Sequence, residues 1–293
     1  MPHAHHSALG SFGSVLLTVI VVFTALVYLR GWRQLRSTPV SVSGSRMFGF
    51  LVGLSLIWAA TASPIAALDH DLLTVHMLKH LLLMTMAPPL IWLGEPVRVL
   101  LCGLPQRSLR KIGPAFQLPL LHRLGHLLGR PQVCWLAASA ALVLWHIPAI
   151  FALGIHSAVW HFVEQLSFLA AGLLFWWPVV QPWPSASIPD LSMILYLFFA
   201  TLPCDILSGF LVFCDRVVYP VYSSSSHLLG FSALGDQQCA AALMWTCVTV
   251  VYLVAGVALT LRLLSPRHVH DAEFALITMR RVSGRLEALQ HGD

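Results

Sequence analysis

The sequence predicts an all-α polytopic membrane protein: a bundle of seven transmembrane helices, N-terminus outside and C-terminus in the cytoplasm. Three observations carry this. Of 293 residues, 57% are hydrophobic and only 10% are charged, whereas a soluble domain carries about 25% charged residues. Seven stretches reach the length of about 20 mostly apolar residues that a helix needs to cross a bilayer. The basic residues, nearly all arginine, alternate in density from loop to loop.

In chain order, the expected spans are 12–30, 47–67, 71–93, 132–153, 157–179, 191–213 and 239–263. The first two are plainly apolar. The third carries His76, Lys79 and His80, and its Pro88–Pro89 pair is expected to break it low down, because proline removes an amide donor. The fourth ends in "LWHIP" (Leu144–Pro148). The fifth carries His161, Glu164 and Gln165, the sixth Asp205, and the seventh follows Asp236. Arg30, Arg33, Arg36 and Arg46 lie between spans one and two. Arg98, Arg107, Arg110, Lys111, Arg123 and Arg130 lie between three and four, and Arg262, Arg267, Arg280, Arg281 and Arg285 follow the seventh. The alternate loops hold only Arg216. Positive loops stay in the cytoplasm, which sets the orientation. The net charge of +5 therefore belongs to membrane-flanking loops and gives no reason to expect a nucleic-acid partner.

Residues 1–265 then form the transmembrane domain and 266–293 a cytoplasmic tail. Phe274, Ile277, Val282, Leu286 and Leu289 alternate there with arginines, a pattern suited to a short helix on the inner membrane face. The long Pro/Gly/Arg-rich loop has room for a surface helix near Gln106–Lys111. The opening "MPHAHH" resembles an amino-terminal copper clamp. Pro2 lacks the amide that such a clamp deprotonates, so His3, His5 and His6 read as a disordered tail. None of the six cysteines stands in a CxxC or zinc spacing. Cys214 and Cys239 can approach each other on the oxidising side, which suggests a disulfide.

The orientation brings polar residues from five helices to one layer in the outer half of the membrane. Intramembrane charges and imidazoles are costly unless they face a partner or cavity. The layer must therefore face the bundle interior. His76 and His80 are an i,i+4 pair on one helix face, and His146 and His161 fall at a similar depth. Imidazole suits copper, zinc or iron. His156 and Asp236 stand near the same end, and Met77, Met84 and Met244 add thioethers that favour Cu(I) where they turn inward. Lys79 finds Glu164 or Asp205 as counter-charges in a buried network.

Several motifs occur in a characteristic order: "HMLKHLLLMTMAPPLIWLGEP" (His76–Pro96), "WHIP" (Trp145–Pro148), His161 with "FWWPV" (Phe175–Val179), "VYPVY" (Val218–Tyr222) and "ALGDQQCAAALMW" (Ala233–Trp245). Over residues 45–263 the chain resembles the multi-span CtaG family of caa3-type cytochrome c oxidase assembly factors. The resemblance implies a non-enzymatic role in maturing haem–copper oxidase in the bacterial inner membrane. The cargo would be copper, as Cu(I). The partners would be the oxidase catalytic subunit and periplasmic copper chaperones. It also implies His76, His80, His146 and His161 as ligands, with Asp236 as the family's acid. The chain departs from the pattern at Lys79, Gln165, Ala240 and Ala241. The residues leave two alternatives open: a haem-b electron carrier, or a metal or proton transporter using Lys79, Glu164 and Asp205. No Ser/His/Asp or phosphate-loop pattern argues for catalysis.

Overall fold

The computed structural model describes residues 3–36, 41–105, 107, 125, 127–180, 191–223, 230 and 232–264, with side chains from residue 13 onward. Among these residues there are ten α-helices and no strands. They are α1 (His3–Leu35), α2 (Gly44–Thr61), α3 (Leu73–Leu81), α4 (Ala87–Leu93), α5 (Pro96–Gly103), α6 (Pro131–Trp145), α7 (Pro148–His156), α8 (Ala158–Val180), α9 (Leu191–Phe213) and α10 (Ala233–Leu263). A 3₁₀ helix (Pro64–His70) joins α2 to α3, and a π turn (Leu82–Met86) joins α3 to α4.

Five helices are long and apolar enough to cross a membrane, or up to seven if each of two bent pairs is one span. Their outward faces are apolar, with Val159, Ile206, Leu253 and Leu261 exposed. In water such a surface would aggregate; in lipid it is the expected exterior. The main core joins α3, α6, α8, α9 and α10 through Leu73, Met77, Ala138, Phe175, Trp176, Leu211 and Met244. A second cluster (Tyr28, Phe50, Leu54, Ile91, Val99) binds α1, α2, α4 and α5.

Four expectations change here. The Pro88–Pro89 pair does not break the third span. Its amide deficit is absorbed one turn earlier by the π turn, where Ala87 N–H donates to Leu82 C=O. The Met84 carbonyl, four residues before Pro88, instead accepts from Trp176 Nε1 at 3.2 Å. Gly172 of α8 permits this approach, since a Cβ there would sit 2.6 Å from the Met84 carbonyl oxygen. The direction change comes later, at Gly94–Glu95, where Glu95 is left-handed (φ 50°) and α5 departs at 62°.

The fourth span is not straight. Pro148 disfavours helical backbone in the residue before it. Ile147 is extended (φ −66°, ψ 123°), and α6 and α7 meet at 77° beside His146. The N-terminus is helical from His3: Pro2 is compatible with a helix start, and no proline separates it from the first span. Cys214 and Cys239 are both free. Cys239 is exposed and Cys214 is half-buried. The surface helix near Gln106–Lys111, Arg107 apart, and the tail after Ser265 lie outside the described residues.

Candidate metal centre

The site is built on α3, and α3 is held by another helix. Its first amides have no local cap, because Leu72 stands at the N-cap position. Asp236 of α10 supplies the missing acceptor. Its Oδ2 accepts from Leu73 N at 2.7 Å, and its Oδ1 accepts from Thr74 N at 3.1 Å and from the Thr74 hydroxyl at 2.6 Å. A carboxylate at a helix N-terminus satisfies orphan donors and complements the helix dipole. Both Asp236 oxygens are thereby used. The residue holds the start of the helix that carries His76, and its oxygens lie outside the two groups of converging ligand atoms described below. Gln237 pins the next loop, accepting from Val218 N at 2.7 Å and donating to the Arg216 carbonyl at 3.1 Å. That loop contributes Tyr219, which donates to the His146 carbonyl at 2.9 Å, and Tyr222, which donates to the Asp69 carbonyl at 2.7 Å. The "VYPVY" and "GDQQ" motifs thus clamp the elements that carry the site.

His76 and His80 stand one turn apart, with ring centroids separated by 4.4 Å. Both point their Nε2 at one oxygen, Oε1 of Glu164 on α8, each at 3.4 Å. All three residues are buried, Glu164 completely. These are ion-pair distances without hydrogen-bond geometry: both His76 nitrogens, His80 Nδ1 and both Glu164 oxygens have no hydrogen-bond partner. Ligand atoms of His76, His80 and Glu164 lie within 4.8 Å of one another, as do those of Asp69, His76 and His161. Phe151 packs edge-on to His76, and Phe168 stacks on His80 at 4.0 Å. Gly154 makes room for the carboxylate, since a Cβ there would lie 3.0 Å from Glu164 Oε2.

Lys79 is neutralised by a residue the sequence did not suggest. Its ammonium pairs with Asp69 of the 3₁₀ helix, not with Asp205 or Glu164. His161 also turns to Asp69, with Nε2 at 3.0 Å from Oδ2, and its ring stays 5.8 Å from that of His76. Burial alone would raise the Asp69 carboxyl, but the His161 hydrogen bond and the Lys79 charge outweigh it and hold it below the usual carboxylate range. Burial lowers the neighbouring His70. Asp205 sits apart, with Oδ1 buried and unpartnered.

His146 is buried next to His80, with ring centroids 6.1 Å apart. Its Nδ1 meets the Leu142 carbonyl at 2.7 Å and its Nε2 meets Met77 Sδ at 3.3 Å. Met77, Met84 and Met244 line a small cavity beside it. His156 is exposed at the end of α7 and does not reach the cluster.

The structure therefore regroups the expected four-histidine set. His76 and His80 stay together and gain Glu164, His161 gains Asp69 while its ligand atoms stay within 4.8 Å of those of His76, and His146 gains Met77. Asp69 was legible only as a demand: a buried lysine requires a carboxylate, and Asp69 and Asp71 stand nearby in sequence. The 3₁₀ turn that folds Asp69 back onto α3 was not.

An uncharacterised protein of Mycobacterium bovis and one of Mycobacterium tuberculosis are each 25% identical to the chain over 258 residues, covering 86% of it and 38% of their own length. The chain thus spans about two-fifths of the curated relatives it matches. No solved structure matches it. Residues 26–265 match the cytochrome c oxidase caa3 assembly factor family (Caa3_CtaG), and the chain belongs to that family.

Proposed function

We propose that this protein serves oxidase assembly by carrying copper as cargo on His76, His80 and Glu164, for delivery to the catalytic subunit of a haem–copper cytochrome c oxidase. The observation that supports it is the state of Glu164. Lys79 and Asp69 offset each other, so Glu164 is a fully buried carboxylate faced only by two imidazoles that make no hydrogen bond to it. A buried carboxyl group left without a hydrogen-bond partner costs free energy in either protonation state. A cation between the three residues offsets the charge and occupies the orphaned lone pairs. Two imidazoles and a carboxylate form a set that suits copper, zinc or iron.

In this reading the protein is non-catalytic and multi-pass in the bacterial cell membrane, with its N-terminus outside. The site then lies in the outer half of the bilayer. That depth suits exchange with a buried copper centre in the oxidase and loading by periplasmic chaperones. Asp236, Tyr219 and Tyr222 hold the ligand-bearing elements in register, and Phe151 and Phe168 exclude water. A haem-b reading fits less well. The cavity beside His80 and His146 is about 40 Å³, against roughly 300–1,000 Å³ for ordinary organic ligand pockets.

The test is metal stoichiometry on detergent-purified full-length chain, loaded with Cu(I) anaerobically or with Cu(II), beside oxidase assembly in cells. Glu164→Gln and His76→Ala are expected to lose one equivalent of copper and to impair assembly. Unchanged stoichiometry in both variants would sink the ligand assignment.

A further inference from the structure

A second donor set lies one helical turn along α3, on its other side. The walls of the cavity of about 40 Å³ there are mostly apolar, and among them stand Met77, Met84, Met244, Cys204, His80 and His146, drawn from α3, the π turn, the end of α6, α9 and α10. That is room for an ion or about three waters, since one water needs about 10–15 Å³. Three thioethers, a thiol and two imidazoles thus stand on the walls of one small cavity. Methionine often fills such gaps, so the lining alone decides nothing.

The tautomer of His146 does decide it. Nδ1 lies 2.7 Å from the Leu142 carbonyl, an acceptor only. The proton of the neutral ring must therefore be on Nδ1. Nε2 is then a bare lone pair, and it faces Met77 Sδ, also a lone-pair donor, at 3.3 Å. Two donors in contact with no proton between them gain nothing from each other. An imidazole fixed by an Nδ1–H bond to a backbone carbonyl is the arrangement seen around metal-bound histidines. His80 Nδ1 is likewise buried without a hydrogen-bond partner.

We propose that this cavity is a second metal site, selective for monovalent copper, with His146 Nε2 and Met77 Sδ as its core ligands and Met244 of the same cavity wall completing it. Thioether and thiol ligands select Cu(I) over harder divalent ions. The carboxylate set at Glu164 has the opposite preference. His80 stands between the two, with Nε2 towards Glu164 and its ring on the cavity wall. The proposal takes copper as the cargo from the reading above, but it does not depend on the His76–Glu164 ligands. The π turn belongs to the same design: with its extra residue per turn, both Met84 and Thr85 reach the cavity.

The experiment is X-ray absorption at the copper edge on full-length protein loaded anaerobically with Cu(I), with affinity read by competition against a chromophoric Cu(I) chelator. The expected result is a sulfur shell around copper that survives in Glu164→Gln. The Met77→Leu/Met244→Leu variant, which nearly conserves core volume, should lose that shell and bind Cu(I) roughly 10-fold or more weakly. Copper surrounded by nitrogen and oxygen alone, or unchanged affinity in the double variant, overturns this site and leaves the Glu164 site standing. A sulfur shell with copper stoichiometry unchanged in Glu164→Gln does the reverse. No copper bound at all overturns both.

Discussion

Removing Asp69 should be more damaging than removing the lysine it neutralises. The two side chains are 2% and 7% exposed, so neither charge can turn to water. Breaking a buried pair by deleting one partner typically costs about 3–5 kcal/mol. The surroundings decide where each variant falls in that range. In Lys79→Met, Asp69 keeps His161 Nε2 at 3.0 Å, a donor able to take up positive charge, so the loss is near 3 kcal/mol. In Asp69→Asn, the Lys79 ammonium keeps His161 Nε2 at 3.4 Å and a neutral amide oxygen but no anion, so the loss is near 5 kcal/mol. Apolar replacement of both partners, Asp69→Leu with Lys79→Met, should recover much of it, because no uncompensated charge remains. Thermal unfolding of these four proteins and of the single variant Asp69→Leu, which closes the cycle with Lys79→Met, in one detergent is the assay. At about 2–4 °C per kcal/mol, the single variants should melt on the order of 10 °C below wild type. The double variant should melt well above the sum of the two losses. If the losses simply add, or if Lys79→Met melts lower than Asp69→Asn, the charge-pair reasoning is wrong.

Other outcomes follow from the same geometry. Because Asp69 is held below its ordinary value of 3.8 in the folded chain, its contribution is fully present above the unfolded-state pKa and is lost only as pH falls through the lower folded value. The melting difference between wild type and the Asp69→Leu/Lys79→Met variant should therefore stay constant from about pH 5 to 8, and a slope there would contradict it. Asp236→Ala removes the acceptor of two α3 amides and a hydroxyl. It should cost about 1–2 kcal/mol in unfolding free energy and also weaken copper retention, measured by equilibrium dialysis, although Asp236 touches no metal. Gly154→Ala places a methyl 3.0 Å from Glu164 Oε2. It should lower copper affinity, read by the same dialysis, with a smaller effect on melting than Asp236→Ala.

The helical class and the run of apolar segments were legible because the bilayer imposes one rule on any chain: about 20 apolar residues in a self-satisfied helix. That His76 and His80 belong to one site was equally legible, since i,i+4 spacing places both on one helix face whatever surrounds it. Such one-helix relations are set by the covalent chain. What Lys79, His146, His161 and Asp236 touch is not. Each is partnered across helices or through a tight turn, and the choice among carboxylates at similar depth depends on helix rotation and on bends. The 77° bend at His146, the π turn and the 3₁₀ turn carrying Asp69 set those rotations through packing. Depth along a span can be counted from residue numbers, but azimuth around the bundle exists only once the helices are in contact.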